Sequence, residues 1–68
     1  MKNNIKVERA KNNMTQAQLA NHIGVSRQTI NATEKGKYVP STLLALKMAK
    51  LFNCRVEELF EIEDKDEL

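Results

Sequence analysis

Three observations predict an all-α fold of five short helices. Apolar residues recur at helical spacing in five separate stretches, from Ile5 to Phe60. Most stretches are bounded by a capping hydroxyl, a glycine, an asparagine pair or a proline. Only Ile62, set between Glu61 and Glu63, alternates as a short terminal strand would. A chain of 68 residues with 41% hydrophobic content supports one domain, residues 1–68.

The first helix is predicted over Ile5 to Lys11, broken by Asn12-Asn13. Thr15 and Gln18 have the spacing of a capping box, opening a second helix over Gln16 to Ile23 with Ala17, Ala20 and Ile23 on one side. Gly24 permits the left-handed backbone that ends it. Ser26 is the next capping candidate, before a third helix over Arg27 to Lys35 that Gly36 closes. Pro40 and Ser41 introduce a fourth helix over Thr42 to Phe52, interrupted in its apolar run only by Lys47 and Lys50. So continuous an apolar surface predicts burial on more than one side, or a face left for a second subunit. A fifth helix spans about Val56 to Phe60, and residues 61–68 trail off as an acidic tail.

Charge is unevenly placed. Residues 1–50 hold nine Lys/Arg against two Asp/Glu, a balance of +7, and residues 51–68 hold two against seven, a balance of −5. A basic body points to a polyanionic partner, although an uneven solvated surface would give the same composition. No apolar run is long enough to span a membrane, and MKNNIKVERAKNN has no apolar centre of a secretory signal. The spelling KDEL at Lys65 to Leu68 and the sequons at Asn13 and Asn31 therefore read as chance matches. A single cysteine, Cys54, forms no internal disulfide and fits a reducing cytoplasm.

The third helix carries the functional signal. With Ile30 at the centre of the inward face, Ser26, Thr33 and Glu34 fall within about 60° of the core direction. Gln28, Asn31, Ala32 and Lys35 cluster opposite, with Arg27 on the shoulder. Asn and Gln pair bidentately with adenine, Arg with guanine, and a small Ala reaches a thymine methyl in the major groove. A merely solvated helix face would more often carry Glu–Lys pairs at four-residue spacing, and this one has none.

From Gln16 to Lys35 the chain resembles the helix-turn-helix of the Cro/phage-repressor-like family, also called the XRE family. Leu19, Ala20, Ile23, Gly24, Val25 and Ile30 stand at that unit's apolar and turn positions, and the wording continues through "EKGKY", "PS" and "NCRVEELF". The resemblance covers about residues 5–60. It implies a five-helix, lambda-repressor-like DNA-binding domain acting as a homodimeric regulator, cytoplasmic and nucleoid-associated in a prokaryote or phage. By position it implies base reading by Ser26, Arg27, Gln28, Asn31 and Ala32. It implies contact with DNA phosphate by Gln16, Lys35, Lys37, Tyr38 and Thr42. It also implies an ion pair between Arg9 and Glu34, since an unpaired inward carboxylate would be costly. Two positions depart from the pattern. Thr33 replaces a large apolar residue, implying a loosely anchored third helix, and Arg55 replaces a capping residue, implying a frayed start to the fifth.

The expected partner is a double-stranded DNA operator read as a palindrome, with repression by occupancy. Surplus apolar surface on the fourth helix, with Leu51, Leu59, Phe60 and Ile62, is the expected dimer interface. The alternative is an adaptor or antitoxin-like module of the same fold, binding a protein through its acidic tail. His22 reads as a solvated histidine, and Cys54 as a small half-buried side chain. No nucleophile elbow, phosphate loop or carboxylate pair suggests an enzyme, and no cofactor, metal or small-molecule ligand is expected.

Overall fold

Three hydroxyl side chains start three of the helices. In the computed structural model, which describes residues 1–66, Thr15 Oγ1 accepts from the Gln18 N–H at 3.0 Å and Gln18 Oε1 accepts from the Thr15 N–H at 2.9 Å. Ser26 Oγ accepts from the Thr29 N–H, and Ser41 Oγ from the Leu44 N–H, each at 3.1 Å. Each such cap contributes about 1 kcal/mol by satisfying an N–H that the helix itself cannot. The resulting order is β1 (Lys2–Asn3), α1 (Ile5–Lys11), α2 (Gln16–Ile23), α3 (Arg27–Glu34), α4 (Thr42–Leu51), α5 (Val56–Leu59) and β2 (Phe60–Glu61). All five expected helices are present. The third, fourth and fifth each stop one residue earlier than their apolar periodicity implies.

Helix ends are as local as the starts. Gly36, at φ 74°, lets the Lys37 N–H reach Ala32 O at 2.9 Å while its own N–H reaches Thr33 O at 3.0 Å. Asn13 and Asn53 adopt the same left-handed backbone after α1 and α4, at φ 51° and 53°. Arg55 leaves its helix less exposed to fraying than its type suggests. An arginine side chain has no acceptor, but Glu58 Oε1 takes the Arg55 N–H at 2.9 Å, so half of a capping box forms.

One apolar cluster joins every helix: Ile5 from α1, Leu19, Ala20 and Ile23 from α2, Ile30 from α3, Leu44 and Met48 from α4, Leu59 from α5, with Phe52 and Phe60 beside them. Ala17 is exposed, contrary to the inward side expected for it. The buried stripe of α2 runs through Leu19, Ala20 and Ile23, which places Ala17 beyond its edge. On α4, Leu44, Met48 and Ala49 are buried while Leu43 and Leu46 are exposed, so this helix has one core face and one free apolar face.

The chain ends meet. β1 and β2 pair antiparallel, with Lys2 opposite Glu61 and Asn3 opposite Phe60. The strand at the C-terminal end therefore covers Phe60 and Glu61 rather than the alternation about Ile62, and its partner lies at the other end of the chain. The acidic segment does not simply trail off. Glu63 and Asp66 contact the Met1 amine at 3.2 and 2.8 Å. The hydrogen bond to that amine, then the one from the Glu63 N–H, holds the Asp66 carboxyl below its ordinary range. Glu67 and Leu68, the rest of the tail and of the KDEL spelling, lie outside the described residues.

Arg9 and Glu34 join α1 to the end of α3. Arg9 Nε lies 2.6 Å from Glu34 Oε2, a second guanidinium nitrogen lies 3.0 Å from Oε1, and the third donates to Met14 O at 3.0 Å. The side chains are only 14% and 9% exposed, so the paired forks are largely out of water. Removing one member of such a pair strands the other charge, at a cost of about 3 kcal/mol or more. Glu34→Gln is therefore expected to lower the unfolding free energy by that order in urea titration. An unchanged midpoint would show that the pair carries no stability.

Candidate nucleic-acid interface

Ile30 fixes which way α3 faces. It is 0% exposed, and Thr33 one turn on is 2% exposed. The Thr33 hydroxyl donates to Thr29 O at 2.6 Å, so its polar atom is satisfied within its own helix and the residue enters the interior without an orphaned group. Substituting threonine for a large apolar residue has therefore not turned this position outward.

Arg27, Gln28 and Lys35 are exposed, and Asn31 and Ala32 are half-buried between them. These five, with Lys37, border one shallow depression, so they form a contiguous surface. Ser26 is not on the inward side where a helical wheel puts it; it is exposed. Its backbone, at φ −76° and ψ 156°, is extended, and a wheel does not apply to a capping residue. Its hydroxyl is already shared between the Thr29 N–H and the Thr29 hydroxyl, at 3.1 and 2.9 Å.

Gln16 sits at the start of α2 but bonds into α3. Its amide nitrogen donates to Glu34 Oε1 at 3.2 Å, and its oxygen accepts from Arg27 at 3.3 Å. A chain of hydrogen bonds thus runs from Arg9 through Glu34 and Gln16 to Arg27, the first residue of α3. One N–H of the Gln16 amide and four of the Arg27 guanidinium remain for an outside acceptor.

Lys37 and Tyr38 lie in the exposed loop after α3, and Thr42 is the exposed first residue of α4. The geometry gathers Lys35 and Lys37 beside the α3 strip. Thr42 lies instead along an apolar groove with Val39, Pro40 and Leu46. Among the described residues Lys35 and Lys37 enter no ion pair, leaving two cations uncompensated next to the exposed amides.

Other reactive side chains lack company. His22 is exposed. Burial, then the carboxylates of Glu8 and Glu58, pushes the Cys54 thiol up, away from the thiolate a nucleophile needs. Among the described residues no three His, Cys, Asp or Glu side chains are grouped to hold a metal ion. No helix of the described residues is long and apolar enough to cross a membrane. Sequence reasoning missed Asn3, which touches the far end of α3; nothing in the periodicity marks a polar residue ahead of the first helix.

Comparison with known proteins agrees with this geometry. A helix-turn-helix family model matches residues 5–59. An uncharacterized HTH-type transcriptional regulator of Methanocaldococcus jannaschii is 54% identical over 66 residues, covering 97% of this chain and all of that one. One from Bacillus subtilis is 47% identical over 66 residues with the same coverage. Among solved structures, the SOS-response transcriptional repressor LexA of Eubacterium rectale superposes with a TM-score of 0.78 at 34% identity, covering 90% of this chain. The chain spans 65% of that structure's length, so the likeness concerns one part of it. With its turn at Gly24, its buried Ile30 and its exposed polar strip all in place, the chain belongs to the XRE-type helix-turn-helix family of DNA-binding transcriptional regulators.

Proposed function

We propose that the chain is a homodimeric repressor that reads a palindromic operator with α3 in the major groove. One observation carries this reading: Arg27, Gln28, Asn31 and Ala32 form an outward strip on a helix whose opposite side, Ile30 and Thr33, is locked in the core. Arg27 suits guanine, Gln28 and Asn31 suit adenine, and Ala32 permits close approach. Ser26 contributes at the edge of the strip, through whatever its capping bonds leave free. Lys35 and Lys37, with Tyr38, Thr42 and the free N–H of Gln16, hold the phosphates and set register. Occupying a promoter needs no chemistry, and such a protein works where DNA is, in the cytoplasm of a prokaryote or a phage host.

We place the dimer interface elsewhere than the sequence alone suggests. Leu59 is 0% and Phe60 9% exposed, so both are consumed by the monomer's own core, and Leu51 packs half-buried against it. Only Ile62 of that set is free, at 61%. Val39, Leu43 and Leu46 are exposed at 68%, 64% and 53%, and Val39 and Leu46 line a groove at the start of α4. A two-fold axis there would give a self-complementary apolar centre. The adaptor reading asks for a free acidic tail, whereas Glu63 and Asp66 are already engaged by the Met1 amine.

Selection of bound duplexes from a random pool tests the reading directly. Gln28→Ala is expected to relax preference at one base position, costing about 1–3 kcal/mol of discrimination there. Lys37→Ala is expected to weaken all duplexes alike and to reduce the salt slope by about 1. If Arg27→Ala and Gln28→Ala both keep the wild-type preference, α3 does not read the bases. For the interface, Leu43→Asp with Leu46→Asp is expected to give a monomer in sedimentation equilibrium; a persistent dimer would place the contact elsewhere.

A further inference from the structure

We infer that Asn3 is a positioning residue for DNA reading, holding the C-terminal end of α3 at the angle the groove requires. The inference rests on the base-reading role of α3. It starts from a side chain outside the helix-turn-helix, whose amide joins three elements. Asn3 Oδ1 accepts the Ile5 N–H at 3.2 Å, capping the entry to α1. That bond orients the amide, so its nitrogen points the other way. Nδ2 then donates to Thr33 O at 2.9 Å and to Glu34 O at 3.4 Å, thirty and thirty-one residues further along the chain. The backbone of Asn3 meanwhile lies in β1, opposite Phe60.

The carbonyls it meets are in the last turn of the reading helix, where a helix runs out of its own donors. The Gly36 turn supplies backbone N–H groups to Ala32 O and Thr33 O; among the described residues no backbone N–H reaches Glu34 O, and the Asn3 side-chain amide donates to it instead. The same turn of α3 is thus gripped twice. Arg9 and Gln16 hold the Glu34 carboxylate, and Asn3 holds the backbone. Ile30 fixes the rotation of the helix about its own axis, since it decides which face is inward. The tilt is a separate freedom, and it needs a second fixed point away from Ile30. Asn3 supplies that point and refers it to the terminal sheet. A one-ångström error in tilt separates bidentate contacts to bases while leaving phosphate contacts, which tolerate movement, largely intact.

The experiment compares Asn3→Ser with Asn4→Ala. Serine keeps an oxygen within reach of the Ile5 N–H but is too short to meet Thr33 O. Asn4 donates its amide to Glu58 O in α5 at 3.0 Å, so Asn4→Ala loosens the junction next to the same terminal sheet without touching α3. Both are measured well below their melting temperatures, each with the wild type as reference, for affinity to a selected duplex and to random duplex. Asn3→Ser is expected to lose roughly tenfold in the ratio of specific to random affinity, with random affinity and its salt slope retained. Asn4→Ala is expected to keep the wild-type ratio. A wild-type ratio in Asn3→Ser, or an equal loss in both variants, would overturn the role assigned to Asn3 while leaving base reading by α3 standing. A wild type that yields no preferred duplex would overturn base reading, and this inference with it. Should Asn3→Ser fold poorly, Asn3→Asp keeps the acceptor and removes the donor, and the same ratio decides.

Discussion

A carboxylate placed at the inward edge of an eight-residue helix has to be neutralised, and Arg9 does this for Glu34. The consequences spread from that pair. The Arg9 guanidinium spans Glu34 and the Met14 carbonyl, so α1, the turn after it and the end of α3 share one set of hydrogen bonds. Glu34 passes the arrangement to Gln16, and Gln16 to Arg27. The first and last turns of α3 are thereby referred to the same neighbours. An apolar contact in place of the pair would hold the helices together but would not set their register, because dispersion is nearly indifferent to a small slide.

The economy of a small domain explains why so much of the surface does two things. With ten buried residues in its apolar cluster among the described residues, the chain has little interior on which to base rigidity. It draws instead on hydroxyl caps, on left-handed glycine and asparagine turns and on side-chain amides. Ser26 illustrates the cost. It stands at the edge of the outward strip, yet its oxygen is shared with the Thr29 N–H and the Thr29 hydroxyl, which restricts what it can offer an outside partner. Gln16 shows the same tension, having one amide N–H left after its internal bonds. Such residues form hydrogen bonds inside the protein that a bound duplex has either to accept or to exchange.

The apolar surface that remains uncovered lies at the start of α4, beside its Ser41 cap. Leu44 and Met48 face the core while Leu43 and Leu46 do not, because adjacent positions on a helix point about 100° apart and a core touches only part of the circumference. Leu46 and Val39 line one groove with Ala45 and Phe60, and Leu43 stands exposed on the same helix as Leu46.

Local signals determined the helices. The Thr15, Ser26 and Ser41 caps, the turns at Gly24 and Gly36 and the inward Ile30 are all readable from residue type and spacing, because a cap or a periodic stripe involves neighbours within four positions. The outward strip from Arg27 to Ala32 follows from the same arithmetic. What spacing cannot carry is the fate of residues whose partners lie far along the chain. Leu59 and Phe60 look like spare apolar surface until the folded chain shows that they complete the core. Asn3 looks like solvent-facing polarity until β1 brings it under α3, and Glu63 and Asp66 look like a loose tail until they meet the Met1 amine. The contacts of Asn3, Glu63 and Asp66 join positions thirty to sixty-five residues apart. Periodicity reports only which way a side chain points along its own element, and only the closed structure decides what it meets there.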